Sequence, residues 1–159
     1  MNKDYYIKAI NKIKNYIRAG EVYQVNFTQR FSCDVKGSYL GFYHKLKEIN
    51  PAPFSAYVDT GMGIIISSSP ERYLKIRNNK IETRPIKGTI SRDQNVVADL
   101  ANKNKLYHSE KDRAELLMIV DLERNDLGRI AVDGTVKVDE LFLVESYATV
   151  HHLVASITA

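Results

Sequence analysis

Residues 84–89 read Arg-Pro-Ile-Lys-Gly-Thr, and this stretch is the most informative part of the sequence. Pro85 fixes its own backbone torsion, and Gly88 lets the backbone pass close to whatever lies opposite it. Between these two residues, Lys87 is held more firmly than an ordinary side chain of its type. The alternative is that Lys87 is a solvated surface group, as most lysines are. The stretch therefore indicates an enzyme-like chain with Lys87 as its first candidate functional residue.

A second unusual stretch lies downstream, where residues 121–129 read Asp-Leu-Glu-Arg-Asn-Asp-Leu-Gly-Arg. Five charged side chains follow directly on the apolar residues 116–120. Such a concentration of charge indicates either a binding site or a structural block. We expect the structural block, in which the charges satisfy one another and nearby backbone groups and Gly128 lies at a turn.

The composition is that of an ordinary soluble globular protein. The chain has 159 residues, of which 44% are hydrophobic and 26% are charged, and its formal net charge is +4. This length suits one domain with a sizeable core. The basic residues are scattered, whereas a nucleic-acid-binding surface needs them clustered. We therefore expect no nucleic-acid partner, and the mild basicity fits a small anionic substrate.

The cysteine content and the amino-terminal sequence indicate in which cellular compartment to expect the protein. The one cysteine, Cys33, excludes a disulfide framework and a thiolate metal cluster, and we expect it to be a small buried residue. The amino terminus has the features of neither a signal peptide nor a transit peptide, and no apolar run approaches membrane-spanning length. We expect a cytoplasmic protein with no membrane partner.

Hydrophobic periodicity predicts an α+β fold with antiparallel sheets and flanking helices. The predicted helices cover residues 5–19, 40–49, 93–103 and 109–120. The predicted strands cover residues 22–31, 54–59, 63–68, 73–77, 80–83, 135–139 and 141–146, followed by an alternating tail at 147–157. Residues 151–159 have the pattern of an interior strand without a closing turn. We therefore expect a truncated gene product or domain.

Two carboxylates near the start of the fourth predicted helix are candidate metal ligands. Glu115 directly precedes an apolar run, where an unpaired carboxylate would be costly. Asp112 lies one turn earlier on the same helix face, so both can approach one hard cation. Alternatively, Asp112 only caps the helix together with Ser109, which precedes it by three residues. Both interpretations of Asp112 stay open.

Five sequence blocks, in order, resemble those of the chorismate-utilising enzymes. This family includes anthranilate synthase component I, aminodeoxychorismate synthase component I, and the isochorismate and salicylate synthases. The matching blocks are residues 17–25, 69–72, 84–89, 112–115 with 120–129, and 151–154. The resemblance spans nearly the whole chain. It implies that residues 1–159 are the N-terminal portion of the chorismate-binding catalytic domain, and hence an incomplete portion of that fold.

Within the family, the chain is most similar to the aminodeoxychorismate synthase component I branch. A lysine in Pro-Ile-Lys-Gly-Thr is typical of that branch, where anthranilate synthases usually have alanine. Gln24 stands where the branches that use water place a basic lysine, which argues against isochorismate and salicylate chemistry. The resemblance implies amination of chorismate at C4 with ammonia from a glutamine amidotransferase subunit, with Mg²⁺ as cofactor. Anthranilate synthesis and a non-catalytic fragment are the alternatives.

The resemblance also implies a role for each matching residue. Lys87 would attack ring C2 of chorismate, and Glu71 would assist departure of the C4 hydroxyl. Glu115 would bind Mg²⁺, and Asp112 would help through water. The remaining residues would contact substrate or ammonia; they are Gln24, Gly88, Thr89 and His152. Simpler interpretations are a surface ion pair of Glu71 with Arg72, a structural His152, and an ordinary polar-face Gln24.

Overall fold

The computed structural model describes every residue from 1 to 159. The four helices are α1 (Lys3–Arg18), α2 (Tyr39–Ile49), α3 (Val96–Tyr107) and α4 (Glu110–Gly128). The seven strands are β1 (Phe54–Asp59), β2 (Ile64–Ser69), β3 (Arg72–Arg77), β4 (Lys80–Arg84), β5 (Ile86–Ser91), β6 (Lys137–Ser146) and β7 (Val150–Thr158). No helix combines the length and the apolar character needed to span a bilayer. The chain divides into two units, Met1–Lys36 and Gly37–Ala159.

The first unit consists of α1 and an irregular segment. The Asn2 side chain caps α1 by accepting a hydrogen bond from the Tyr5 N–H at 2.9 Å. The predicted strand at residues 22–31 is wrong, because residues 21–36 contain no helix or strand. Alternation marks which side chains could share a face, but a strand also needs a partner for its backbone. The prediction of a buried Cys33 is also wrong, since this residue is exposed.

The second unit is built on a five-stranded antiparallel sheet with β7 at its centre. On one side β7 pairs with β6, and on the other it pairs with β4 and then β5. Pro85 alone separates β4 from β5, and its carbonyl accepts a hydrogen bond from Ala155 N at 3.2 Å. Residues 80–91 therefore run along β7 without leaving it. Strand β3 pairs with β4 only, which leaves the outer edge of β5 open.

The two predicted hairpins are present. Strands β1 and β2 form a separate two-stranded sheet, and β3 and β4 join through Asn78 and Asn79. Both asparagines have positive φ values, 52° and 56°, as a tight turn of this kind requires. All strand pairs are antiparallel and the helices flank them, so the predicted α+β class is confirmed.

The core lies between the sheet and the last two helices. One face of β7 packs against α3 and α4, and the fully buried apolar residues of this cluster are Leu106, Leu116, Val120, Leu127, Leu153, Ala155 and Ile157. Pro85 is also fully buried. This packing fixes α4 against the segment that contains residues 84–89.

Helix and strand bounds differ from the prediction where local signals were ambiguous. Helix α3 starts later, because the Asn95 side chain accepts hydrogen bonds from two backbone N–H groups and caps it. Helix α4 continues through the charged stretch and ends at Gly128, directly before a turn at residues 129 and 130, so the predicted helix end near residue 120 is wrong. The two predicted strands at 135–146 form one strand, β6, with irregular pairing around Phe142, whose φ is 61°. Periodicity does not indicate β5, which follows a proline and contains a glycine.

Candidate functional site

Lys87 lies in β5 on the side of the sheet that faces α4. In the strand register it is paired with Leu153, which is fully buried in the core between the sheet and α4. Directly paired residues in neighbouring strands point to the same face. Lys87 itself is half-buried and takes part in none of the ion pairs of the chain. This amine is therefore shielded in part and is not engaged by a carboxylate.

Glu71 lies at the open edge of β5, where its side chain contacts the residue that precedes Lys87. Its Oε1 accepts a hydrogen bond from the backbone N–H of Ile86 at 2.9 Å. Glu71 does not form the expected surface pair with Arg72, which instead pairs with Glu82. The ion-pair interpretation of Glu71 is therefore wrong. The carboxylate is held one residue away from Lys87, at the point where β3 stops covering the edge.

Gly88 shifts the alternation of side chains between Lys87 and Thr89. Its φ is +77°, and the register of β5 against β7 is irregular between Lys87 and Thr89. An extra residue in one strand of this kind is a β-bulge with glycine in the left-handed conformation. Thr89 is consequently paired with His152, on the face opposite to Lys87. Because Gly88 has no Cβ, its backbone can also lie against Asp112, where a Cβ would come within 2.8 Å of Asp112 Cβ.

His152 and Thr89 contact each other on the second face of the sheet. Thr89 Oγ1 and His152 Nδ1 are 2.9 Å apart, and the Tyr147 ring packs edge-on at 5.4 Å between centroids. Burial lowers the pKa of His152, while a hydrogen bond with the Gly88 backbone and the carboxylates of Glu145 and Glu71 act against that lowering. The predicted alternation of the two histidines holds, because His151 points into the buried face.

Glu123 is a candidate that the sequence analysis missed. It belongs to the α4 stripe that faces the sheet, and its Oε2 accepts a hydrogen bond from the buried Thr83 hydroxyl at 3.0 Å. Burial raises the pKa of Glu123; the Thr83 bond lowers it, the Glu71 and Asp126 carboxylates raise it, and Lys87 lowers it. Glu123 therefore lies within electrostatic range of both Glu71 and Lys87.

A signal for Glu123 exists in the sequence. Positions 116, 120, 123 and 127 follow the three-and-four spacing of one helix face, and the other three are Leu116, Val120 and Leu127. A carboxylate on an apolar stripe is unusual, because an unpaired charge there is costly. The predicted helix end near residue 120 hid this pattern, since the stripe becomes visible only when the helix continues past that residue.

The two candidate metal ligands lie in the first turns of α4. Ser109 Oγ accepts a hydrogen bond from Asp112 N at 3.3 Å, so Ser109 is the N-cap. The reciprocal bond of a capping box is not formed, because Ser109 N donates to Leu106 O at 3.1 Å. The Asp112 carboxylate is thus not used in capping. The Glu115 side chain is 40% exposed and lies 3.8 Å from Lys111 Nζ.

This pair fits Mg²⁺ as part of a ligand set. The chain contains no group of three or more histidine, cysteine or acidic side chains close enough to hold a metal. Mg²⁺ is commonly bound through one or two carboxylates, with water and substrate oxygens completing its shell. Two carboxylates one helical turn apart, with Glu115 open to solvent, meet that requirement.

The predicted residues other than Gln24 thus fall into three groups. Lys87 lies in β5, Glu71 bonds to the backbone N–H of the preceding residue, and Glu123 lies within electrostatic range of both. Asp112 and Glu115 begin α4, with Asp112 against Gly88, and Thr89 contacts His152 on the other face. Gln24 lies in the first unit, within the segment that forms no strand. Glu71 thus bonds to the residue before Lys87, Glu123 on α4 feels the charges of both, and the start of α4 carries two further carboxylates.

A family model described as chorismate binding enzyme matches residues 1–159. The chain belongs to the chorismate binding enzyme family. It is 47% identical over 159 residues to aminodeoxychorismate synthase component 1 of Escherichia coli strain K12, and 45% identical to the protein of the same name from Klebsiella aerogenes. Each match covers 100% of this chain and 35% of the relative.

A solved structure supports the same family. Anthranilate synthase component I from Streptococcus pneumoniae TIGR4 matches with a TM-score of 0.88 and 31% sequence identity, over 100% of this chain and 34% of that one. The chain therefore spans about a third of the length of the relatives that it matches. The resemblance to chorismate-utilising enzymes is confirmed.

Proposed function

We propose that the protein carrying this chain aminates chorismate at C4 with ammonia to give 4-amino-4-deoxychorismate, a step toward para-aminobenzoate. The observation that carries the proposal is Lys87 with Glu71 beside it, in a chain 47% identical to an aminodeoxychorismate synthase component 1. Residues 1–159 form the N-terminal portion of the catalytic domain in this proposal. A glutamine amidotransferase subunit supplies the ammonia, in keeping with the name component 1 of the relatives.

The reaction proceeds by two displacements. The neutral amine of Lys87 bonds to ring C2, the two ring double bonds shift toward C4, and the C4–O bond breaks while Glu71 delivers a proton to the departing oxygen as water. Ammonia then bonds to C4, the double bonds shift back, and the C2–N bond breaks to release Lys87 as the neutral amine. The new C4 ammonium group returns a proton to the carboxylate of Glu71. Two displacements restore the C4 stereochemistry, which is the chemical reason for a covalent step.

The environment of Lys87 supports a nucleophilic role. The amine must be uncharged to attack. Lys87 is half-buried and takes part in no ion pair, so no carboxylate blocks its access to a substrate. Glu71 is fixed by its bond to Ile86 N, so its carboxyl group stays beside the amine.

The remaining residues bind and orient the substrate in this proposal. Glu115, with Asp112 through water, would hold Mg²⁺, and the ion would supply positive charge to neutralise a substrate carboxylate. Gly88 and Thr89 offer a backbone N–H and a hydroxyl to the same substrate, and His152 contacts the ring. Gln24 orients substrate or ammonia. Because the chain contributes only two metal-ligating carboxylates and spans a third of its relatives, residues 1–159 alone should have little or no turnover.

Mass spectrometry of a covalent adduct tests the nucleophile. Wild-type protein incubated with chorismate, without ammonia, should gain a chorismate-derived mass on the peptide that contains Lys87. Lys87→Ala should lose this adduct completely, whereas Lys105→Ala, at an exposed position in the last turn of α3, should retain it. An adduct of undiminished yield in Lys87→Ala would overturn the assignment.

Anthranilate synthesis is the second candidate, favoured by the structural similarity to an anthranilate synthase component I. The two reactions differ in their products. Anthranilate formation releases pyruvate from the substrate, whereas amination at C4 keeps the enolpyruvyl group. Incubation with chorismate and ammonium salt, followed by product mass analysis and a pyruvate assay, distinguishes them. Stoichiometric pyruvate would favour anthranilate and contradict the leading proposal.

A further inference from the structure

A hydrogen-bond network that runs from the buried His151 to the exposed Arg92 lies across the sheet from His152 and takes no part in the proposed reaction. His151 is 1% exposed, and its Nε2 lies 3.0 Å from Asp99 Oδ1, in the first turn of α3. Its Nδ1 lies 2.8 Å from Ser146 Oγ, at the end of β6. Both ring nitrogens are therefore engaged. His151 joins three elements (α3, β6 and β7) through one imidazole.

Arg92 completes this network. Its Nε donates to the two Asp99 carboxylate oxygens at 2.8 and 3.0 Å, and its Nη1 donates to the backbone carbonyl of Tyr147 at 2.9 Å. The Arg92 backbone N–H also donates to Thr149 O at 2.9 Å. The guanidinium thus fixes the turn between β6 and β7. Its bond to Asp99 is the largest cause that lowers the pKa of Asp99 well below its usual range; the Asp93 N–H and His151 lower it further, and burial acts against them.

The turn held by Arg92 carries the aromatic neighbour of His152. The Tyr147 ring packs against the His152 ring, and its hydroxyl donates to Glu145 Oε2 at 2.7 Å. Glu145 is in turn paired with Arg84 at 2.6 Å. Tyr147 and His152 both line a hollow of about 410 Å³. The position of the His152 ring therefore depends on groups on both sides of the sheet.

We propose that Arg92, Asp99 and His151 are positioning residues that hold His152 against Thr89 and Tyr147. This inference rests on the proposed function only for the statement that His152 contacts substrate. His151 and His152 are adjacent in β7, and their side chains point to opposite faces of the sheet. Fixing the His151 side chain therefore also fixes the direction in which the His152 side chain points. Locking His151 to Asp99 prevents rotation of the strand, and Arg92 keeps the Tyr147 ring in place.

Groups from several elements surround the His152 ring. Glu145 comes from β6, Tyr147 from the turn, Thr89 with the Gly88 backbone from β5, and Glu71 from the segment before β3. Residues 49–52, which also line the hollow, carry no charge. Burial is the largest influence on the pKa of His152 and lowers it. Loosening the ring would expose it to water and return the pKa toward the ordinary value of 6.5.

Histidine titration by nuclear magnetic resonance tests the inference. Arg92→Lys keeps the positive charge but lacks the planar fork that reaches both Asp99 and the Tyr147 carbonyl. In Arg92→Lys and in Asp99→Asn, the pKa of the His152 ring should rise toward 6.5, measured in the folded protein. The matched controls are Arg124→Lys and Asp121→Asn, which make the same changes in an exposed ion pair of α4. These controls should leave the titration of His152 unchanged.

Two outcomes would overturn the inference. One is a folded Arg92→Lys protein whose His152 titrates as in the wild type, which would mean that the network serves stability alone. The other is an equal shift in the control variants. If Asp99→Asn does not fold, the titration of His152 in the milder variant Arg92→Lys decides whether the inference holds. The histidine titration needs no turnover. It would therefore stay valid if the adduct experiment failed to support Lys87 as the nucleophile, and a failed titration would not affect the adduct experiment.

Discussion

At Gly88, one missing side chain has two consequences. The φ of +77° belongs to the left-handed region, and the absent Cβ leaves room for Asp112 at the start of α4. The first property forms the bulge that sends Lys87 and Thr89 to opposite faces. The second lets the backbone beside Lys87 touch the helix that carries the candidate metal ligands. A larger residue would disturb both features.

Gly88→Ala should therefore destabilise the fold more than a positive φ alone explains. Alanine in the left-handed region costs about 1–2 kcal/mol, and the overlap with Asp112 should add roughly 1–3 kcal/mol. Gly134 has the same φ of +77°, but a Cβ at this residue would meet nothing within 4 Å, so Gly134→Ala isolates the torsional cost. Urea unfolding measures both variants. Equal losses of unfolding free energy would show that the contact with Asp112 contributes nothing.

Among the elements, α4 carries a carboxylate, Glu123, on its buried stripe. Burial raises its pKa above the ordinary 4.5, so the folded protein keeps this proton to higher pH than the unfolded chain does. The folded state then binds more protons between the two pKa values. The unfolding free energy should consequently fall as the pH rises from 4.5 through the folded pKa.

Glu123→Gln removes the titrating carboxyl group, while the glutamine amide oxygen can still accept the hydrogen bond from the Thr83 hydroxyl. The variant should match the wild type below pH 4.5 and become progressively more stable than the wild type above it. Urea unfolding over a pH series measures the difference. Glu48→Gln, at an exposed carboxylate paired with Lys45, should show no such drift. A constant difference between Glu123→Gln and the wild type across the series would contradict the raised pKa.

Local patterns predicted the elements that local forces determine. The hairpin at Asn78 and Asn79 and the cap at Ser109 depend on neighbours within a few residues, and both are present. Whether residues 22–31 or β5 form a strand depends on partners distant in the sequence. Alternation predicted a strand at 22–31, where none forms, and gave no signal for β5. For the site, the motif at 84–89 identified Lys87, but the position of Glu123 requires the packing of α4 on the sheet.

For the whole molecule, the face between β7 and the last two helices holds the second unit together. Leu116 is fully buried there, while its neighbour Leu117 is 44% exposed. Leu116→Ala should lower the unfolding free energy by about 2–5 kcal/mol, because it leaves a cavity in this core. Leu117→Ala should change it by about 0.5 kcal/mol. Thermal and urea unfolding measure both, and similar losses would place the core elsewhere.

The bond between Glu71 and the Ile86 N–H also occupies one amide on the open edge of β5. An open strand edge with free amides invites a foreign strand to add to it, which is how many proteins begin to aggregate. Here the carboxylate occupies the amide that β3 leaves uncovered, and its charge repels an incoming strand. Replacing Glu71 by alanine would therefore leave this amide unpaired, as well as remove the carboxyl group that we propose as the proton donor. Light scattering of that variant has to precede any interpretation of its lost activity.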